Sequence, residues 1–314
     1  MKQIKRILLA ALVALSAVFL TAPVTIAQDT GGDSQQSSES MTLSPATSQP
    51  KLVQGQATNG KVTVINNGKT TYDFIVYARP FSVRGESYET DFETVNKYTE
   101  LYQWVKFPKA NFRLAPDESI EVPYEIVTPD DARPGGHYAV IFAETQPPED
   151  STGQSVARKK RVGSLVYASA AGEVQEQGSS EGLLTKFWQK DSPLQANLLA
   201  TNDGNTHYEL TSDVVYKNIF GQSVHGAKQT KIIMPGTTRR VTSQWDNPPM
   251  FGIFKVEGTV SYLGKQDTLK TRYIVLLPMK VLIGMALILA ALIVWIVRRK
   301  QVAKKKPLKQ SRGK

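Results

Sequence analysis

Residues 254–262 have the sequence FKVEGTVSY, in which every second residue is apolar, aromatic or glycine and the residues between are polar or charged. Successive side chains of a β-strand point to opposite faces, so this alternation predicts a strand with one buried face. Residues 120–126 (IEVPYEI) repeat the pattern, and in 138–142 (YAVIF) large residues recur at every second position. Because proline cannot donate a hydrogen bond to a neighbouring strand, Pro123 predicts an edge strand or a bulge.

Turn-forming residues separate these runs at 66–68 (NNG), 116–117 (PD), 202–205 (NDGN) and 235–236 (PG). A polar, apolar-poor stretch at 173–182 (EVQEQGSSEG) divides the strand-rich region. The sequence therefore predicts an all-β fold of two tandem immunoglobulin-like β-sandwich domains, at 41–172 and 183–277, joined by a linker at 173–182. The order of strands and turns in the second half weakly repeats that of the first.

The N-terminus has the three parts of a secretory signal peptide. Lys2, Lys5 and Arg6 precede the apolar residues 7–20, and small residues surround Ala27. The apolar run is shorter than the roughly 20 residues that span a bilayer, which favours cleavage over anchoring. We expect residues 1–27 to be removed after Ala27, and the Gln/Ser/Gly-rich residues 28–40 to form a flexible linker.

A second apolar segment predicts a single transmembrane α-helix at 278–297, because residues 281–297 contain no charge. Lys280 can extend its amine towards the headgroups, and Trp295 occupies the position of an interfacial aromatic anchor. Arg298, Arg299 and Lys300 open a basic tail, residues 298–314, that contains no acid. The positive-inside rule then predicts a single-pass plasma-membrane protein with an extracellular ectodomain and a cytoplasmic C-terminus whose basic residues contact membrane lipid.

The net charge of +10 is concentrated at the two ends of the chain. Between the signal peptide and the tail, acids slightly outnumber Lys and Arg, so the sequence predicts no nucleic-acid partner. Cysteine is absent, which excludes disulfides and a thioether lipid anchor. Residues 277–281 (LPMKV) lack the Thr-Gly of a sortase signal, so we expect the protein to stay in the membrane.

Several segments carry a family resemblance. Residues 62–68 (VTVINNG), 114–116 (LAP), 129–132 (PDDA) and 136–139 (GHYA) resemble the peptidoglycan-binding domain of bacterial surface proteins encoded beside WxL-type cell-wall proteins. Residues 202–207 (NDGNTH), 234–239 (MPGTTR) and 252–254 (GIF) are similar to the companion sandwich of those proteins. The resemblance implies a surface protein that binds cell-wall glycan, and the layout of signal peptide, sandwiches, membrane helix and basic tail also matches.

The ectodomain has one concentrated basic cluster, formed by Arg158, Lys159, Lys160 and Arg161. Such a cluster can attract an anionic wall polymer, and it can equally be a solvated hairpin tip that discourages edge pairing. Tyr98 and Tyr102 belong to the densest aromatic segment and are candidates for stacking on sugars, whereas Trp104 in a strand favours core packing.

Catalytic motifs are not recognisable. His137, His207 and His225 lie in separate segments with no metal-ligand spacing, and there is no GxSxG, Walker or GxGxxG sequence, so we predict no cofactor and no enzymatic activity. The acid pairs 130–131 and 149–150 leave a wall hydrolase as a third hypothesis. The leading hypothesis is a scaffold that binds cell-wall polysaccharide or an envelope protein. The alternative is a membrane-tethered assembly chaperone that acts by β-strand addition.

Overall fold

Two layers of mainly antiparallel strands form the first half of the computed structural model, which describes residues 40–146 and 159–304. The predicted signal peptide, residues 1–27, lies outside the described residues. The strands of this half are β1 (Met41–Ser44), β2 (Thr47–Ser48), β3 (Lys51–Leu52), β4 (Ala57–Asn66), β5 (Tyr72–Pro80), β6 (Ser82–Arg84), β7 (Glu89–Asp91), β8 (Val105–Lys106), β9 (Asn111–Leu114), β10 (Ser119–Val127), β11 (Gly135–Gln146) and β12 (Arg161–Ala170).

One sheet of this sandwich has the order β1-β4-β10-β8, and the other has the order β2-β12-β11-β5-β9, with β3 also on β12. The alternating apolar residues of β4 and β10 meet those of β5 and β11 in a core that contains Val64, Val122 and Phe74. Strand β8 pairs only with Glu125 and Ile126, so at Pro123 strand β10 has a hydrogen-bonded neighbour on one side alone. That local edge accommodates the proline.

The second sandwich follows with the strands β13 (Gly178–Ser180), β14 (Trp188–Gln189), β15 (Leu194–Asn202), β16 (Tyr208–Lys217), β17 (Ser223–Ile233), β18 (Thr237–Trp245), β19 (Gly252–Tyr262) and β20 (Lys265–Leu276). Its sheets have the orders β13-β15-β18 and β14-β20-β19-β16-β17. Strand β13 lies inside the segment predicted to be a linker and pairs with the end of β15. The prediction of two tandem β-sandwiches followed by one apolar helix is confirmed.

Two helices complete the described chain. Helix α1 (Leu101–Trp104) is a single turn against β11 and β5. The sequence predicted a strand around Trp104, and the structure corrects this: Trp104 ends the helical turn, and only the next two residues are β8. Its side chain is buried, as the core prediction required. Helix α2 (Met279–Lys304) begins directly after β20.

The two sandwiches contact each other through a set of buried side chains that we call the interdomain cluster. Its members are Phe81, Tyr138, Val140, Phe142, Tyr167 and Met234. Beside it, the Gly136 amide donates to the Asn205 carbonyl at 2.8 Å. Gly135 has φ +101, and a Cβ there would lie 2.5 Å from the same carbonyl oxygen, so only glycine permits this approach.

Candidate functional site

The basic cluster predicted from the sequence is distributed among different contacts. Arg158 lies outside the described residues. The Lys159 amine is 3.5 Å from a Glu144 carboxylate oxygen, and the Lys160 backbone pairs with Thr145. Arg161 begins β12, and its guanidinium lies 4.2 Å from the centre of the Phe142 ring. Of the described members, Arg161 lines a concave surface.

That concave surface, which we call the arginine cleft, has a volume of about 540 Å³. Three guanidinium groups line it, those of Arg79, Arg84 and Arg161, together with two carboxylates and the rings of Phe92 and Tyr102. Arg79 lies at the C-terminal end of β5, Arg84 lies on β6 and Arg161 lies at the start of β12. Arg161 and Tyr102 are far apart in sequence and both line this cleft, Arg161 from β12 and Tyr102 from helix α1, which packs against β11 and β5.

Asp91 organises the wall of the cleft. Its carboxylate accepts hydrogen bonds from the Glu93 and Thr94 amides at 2.9 and 3.2 Å and from the Thr94 hydroxyl at 2.6 Å. The Arg84 guanidinium lies 2.9 Å away. The Thr94 hydroxyl, the amides and the guanidinium hold the pKa of the Asp91 carboxyl well below its usual range. Arg84 is therefore paired, while Arg79 and Arg161 have no carboxylate within salt-bridge distance among the described residues.

Tyr98 and Tyr102 do not form one stacking face. Tyr102 lines the arginine cleft, whereas Tyr98 packs against the interdomain cluster. The Arg133 guanidinium and the Lys97 amine lie 4.7 and 5.0 Å from the centre of the Tyr98 ring. Both tyrosines are partly buried and pack against a core, Tyr102 against that of the first sandwich, and whether either ring contacts a sugar stays a prediction.

The histidines occupy three separate environments. His137 is buried against Trp104 at 4.6 Å, and burial lowers its pKa. His207 lies between Tyr138 and Tyr167 at the interdomain cluster, and His225 stacks on Trp245. No three His, Asp or Glu side chains in residues 40–146 and 159–304 gather as a metal site. Asp130 and Asp131 lie between β10 and β11, and the acid pair 149–150 lies outside the described residues.

Strand β17 is a second candidate for binding, because it is the longest edge strand in the described chain. It pairs with β16 over its length and with no strand on its other side. The Ile232 carbonyl accepts from Arg239 at 2.7 Å, and the Met234 amide donates to the Tyr88 hydroxyl at 2.9 Å. Both groups point away from β16. The amide and carbonyl groups of a strand alternate in direction from one residue to the next, so those of Lys228 and Thr230 also point away from β16.

Helix α2 contains the segment Met279–Gln301, which is long and apolar enough to cross a membrane, and none of it is buried against the protein. The Arg299 guanidinium lies 5.2 Å from the centre of the Trp295 ring. Lys280 lies in the first turn of the helix, and Arg298, Arg299 and Lys300 lie towards its other end. The chain is thus a two-sandwich β-protein with one apolar helix that suits a single-pass anchor.

No family model matches the chain, and no curated protein does. Among solved structures, it is similar to the class 5 fimbriae chaperone CfaA, with 13% identity and a TM-score of 0.38 over 76% of this chain and all of that one. It is also similar to the E. coli chaperone DraB, with 12% identity and a TM-score of 0.35 over 76% of this chain and 97% of that one. A PapD-like domain of human CEP192 matches 42% of this chain and 86% of that one, with 13% identity and a TM-score of 0.30. What the chain binds must therefore be derived from its own residues.

Proposed function

We propose that this chain is a membrane-anchored envelope protein whose second sandwich binds an extended segment of a partner envelope protein as an added β-strand. The observation that carries the proposal is the open edge of β17, an 11-residue strand without proline. An edge strand offers a row of unpaired amides and carbonyls, which is the template for strand addition. Helix α2 would tether the second sandwich, and with it this edge, to the membrane.

The other long edge, β18, is less suited to this role. The Gln229 amide donates to the Thr242 carbonyl at 2.8 Å, and the His225 ring nitrogen lies 3.2 Å from the Gln244 carbonyl. Side chains of β17 thus occupy the acceptors of β18. The outermost strands of the first sandwich have two to four residues, which offer few hydrogen bonds, and the open part of β10 contains Pro123, which has no amide to donate.

The charge on β17 indicates what the partner segment should carry. Lys228 is on the solvent face of the strand, and Lys231 is half-buried on the opposite face. Lysines on an edge oppose pairing with a second copy, since like charges directly opposite each other are destabilising. An added segment with acidic residues opposite these lysines would instead gain favourable cross-strand pairs. The expected partner is therefore an acidic, extended polypeptide.

We expect Lys228→Pro to abolish partner binding while the protein stays folded. Proline removes an amide that points away from β16, so the β16–β17 ladder loses no hydrogen bond but an added strand does. Lys228→Ala is the matched control, because it removes the same side chain and keeps the amide. The measurement is in-cell photo-cross-linking from position 230, with thermal unfolding compared in parallel. Equal cross-linking by both variants would refute strand addition at β17.

A second candidate function rests on the arginine cleft. Arg79 and Arg161 have no carboxylate within salt-bridge distance among the described residues, and they line one concave surface together with Tyr102. Guanidinium groups bind phosphate and carboxylate strongly, and a ring can stack on a sugar. These features support binding of an anionic cell-wall polysaccharide, as the family resemblance implied.

We expect Arg79→Ser combined with Arg161→Ser to reduce retention on isolated cell walls by roughly 10-fold or more, since a charge-assisted hydrogen bond contributes about 1.5–3 kcal/mol. Retention of the unaltered protein should also fall with salt. Lys159→Ser serves as the control. Lys159 carries the same charge and lies two residues before β12, but it does not line the cleft. Retention that is insensitive to salt and to both arginine changes would exclude this function.

A further inference from the structure

Large exposed apolar side chains are concentrated at one end of the second sandwich. They occupy three separate connections, and several are more than half exposed: Phe220 81%, Met250 72%, Ile219 69%, Phe187 67% and Phe251 60%. Trp188, beside Phe187, is 43% exposed. Soluble domains rarely gather so many large apolar groups on one surface without a partner. We call these six residues the apolar collar.

The strand registers place the three connections at the same end. Gly252 pairs with Leu276, so the Met250 and Phe251 loop lies beside the end of β20. Trp188 pairs with Val275 in parallel, which brings Phe187 to the same place. Lys217 pairs with Lys255 near the start of β19, so the turn that carries Ile219 and Phe220 also lies there.

This end is the one from which the membrane helix leaves. Strand β20 ends at Leu276, and the apolar span begins at Met279. The Trp188 indole donates to the Leu277 carbonyl at 3.1 Å, so the ring is fixed against the chain that leads into the helix. The chain between the end of β20 and the start of the apolar span is too short to hold the collar away from the headgroups, since three residues reach at most about 10 Å.

We propose that the apolar collar is a membrane-contact surface that rests in the headgroup region of the bilayer crossed by helix α2. The inference rests on the membrane anchoring of the proposed function and adds a second, peripheral contact to it. Aromatic rings with lysines beside them are the residues preferred at the membrane interface. Lys190 lies 5.4 Å from the Trp188 ring, and Lys280 lies in the first turn of the helix.

Lipid fits this surface better than a protein partner does. The collar consists of two loop tips and the segment around the two-residue strand β14, all close to the residue where the apolar span begins. An extended partner strand would need a longer backbone edge than the two residues of β14 offer. Contact with the headgroups would also fix the angle of the sandwich, so that β17, which runs from the collar to the interdomain cluster, stands away from the membrane.

The chain has no cysteine, so single nitroxide labels can test the collar in the full-length protein. The variants are Phe220→Cys and Met250→Cys in the collar, Gln266→Cys at the exposed opposite end, and Leu289→Cys inside the span. The Phe220 change leaves the turn intact, because the Asn218 side chain holds it through backbone amides. Labelled proteins are reconstituted in phosphatidylcholine vesicles with phosphatidylglycerol, and relaxation by oxygen and by a water-soluble nickel chelate is measured.

We expect labels at 220 and 250 to show severalfold lower nickel accessibility than the label at 266, with oxygen accessibility lower than that at 289, as the headgroup region requires. If the labels at 220 and 250 are as accessible to nickel as the label at 266, while the label at 289 lies in hydrocarbon, membrane contact by the collar is refuted and membrane anchoring by α2 is retained. A label at 289 exposed to nickel would overturn the anchor and the collar together. Protection of 220 and 250 from both reagents would indicate burial by protein, and would overturn lipid contact.

Discussion

Replacing Asn202 with alanine is expected to lower the free energy of unfolding of the second sandwich by about 3 kcal/mol or more. The buried Asn202 amide donates to the Thr206 and Ile233 carbonyls, both at 2.8 Å, and its oxygen accepts from the Gly204 amide at 2.9 Å. Alanine leaves the Thr206 and Ile233 carbonyls without this donor in a buried turn, while the Gly204 amide keeps the Gln177 carbonyl as an acceptor at 3.1 Å. Each unsatisfied buried group costs about 1–3 kcal/mol.

Asp203→Ala is the control for this prediction. Asp203 is the next residue in the same turn, its side chain is exposed, and we expect a change within about 0.5 kcal/mol. Urea unfolding of both variants measures the difference. An Asn202→Ala protein as stable as the Asp203→Ala protein would show that water or relaxation of the turn replaces the asparagine.

The equivalent position of the first sandwich is Asn66. Its amide donates to the Thr70 and Leu114 carbonyls, and its oxygen accepts from the Gly68 amide. The two asparagines thus hold corresponding turns in the same way, each at the end of a long strand. This shared geometry gives a physical basis to the weak repeat in the sequence, because the same three backbone groups need the same side chain.

Replacing Asp91 with asparagine should lower stability at pH 7 by about 1–3 kcal/mol, because an amide nitrogen would then face backbone donors. The folded-state pKa of Asp91 lies below the unfolded value of about 3.9. The ionised Asp91 carboxylate therefore makes its full contribution to the free energy of unfolding at neutral pH. That contribution is lost as the pH falls through and below the unfolded pKa. The unaltered protein should lose this part of its stability on acidification, and the Asp91→Asn protein should not.

Unfolding by urea at pH 7 and at pH 3 measures this difference. Asp73→Asn is the control, since Asp73 is an exposed carboxylate 3.7 Å from Arg113 and surface pairs of this kind contribute little. A difference between Asp91→Asn and the unaltered protein that is the same at both pH values would contradict the role given to the carboxylate charge. Loss of the Asp91 contacts should also disturb the position of Arg84 in the arginine cleft.

The candidate sites lie at different distances from the apolar helix. The apolar collar surrounds the start of α2, β17 extends from the collar to the interdomain cluster, and the arginine cleft belongs to the first sandwich. A partner segment added to β17 would therefore lie between the membrane and a ligand in the cleft. This arrangement suits a protein that joins an envelope partner to the layer outside the membrane.

Local patterns in the sequence determined the fold class and the apolar helix. Alternation at 120–126 and 254–262 corresponds to β10 and β19, and the uncharged residues 281–297 correspond to α2, because these features depend only on the direction of neighbouring side chains and on the length of an apolar run. Even the constraint at Pro123 was local, since a missing amide excludes a central ladder position whatever the rest of the chain does.

The sites depended on contacts between distant residues, so only the tertiary structure decided them. Strand β11 alternates weakly in sequence but is buried on both faces, because the second sandwich and the β6–β7 hairpin cover its outer face. Arg79 and Arg161 are far apart in sequence and line one cleft because β11 pairs with both of their strands. The free side of β17 follows from which strands pair, and pairing between distant strands leaves no mark in the local periodicity of either one.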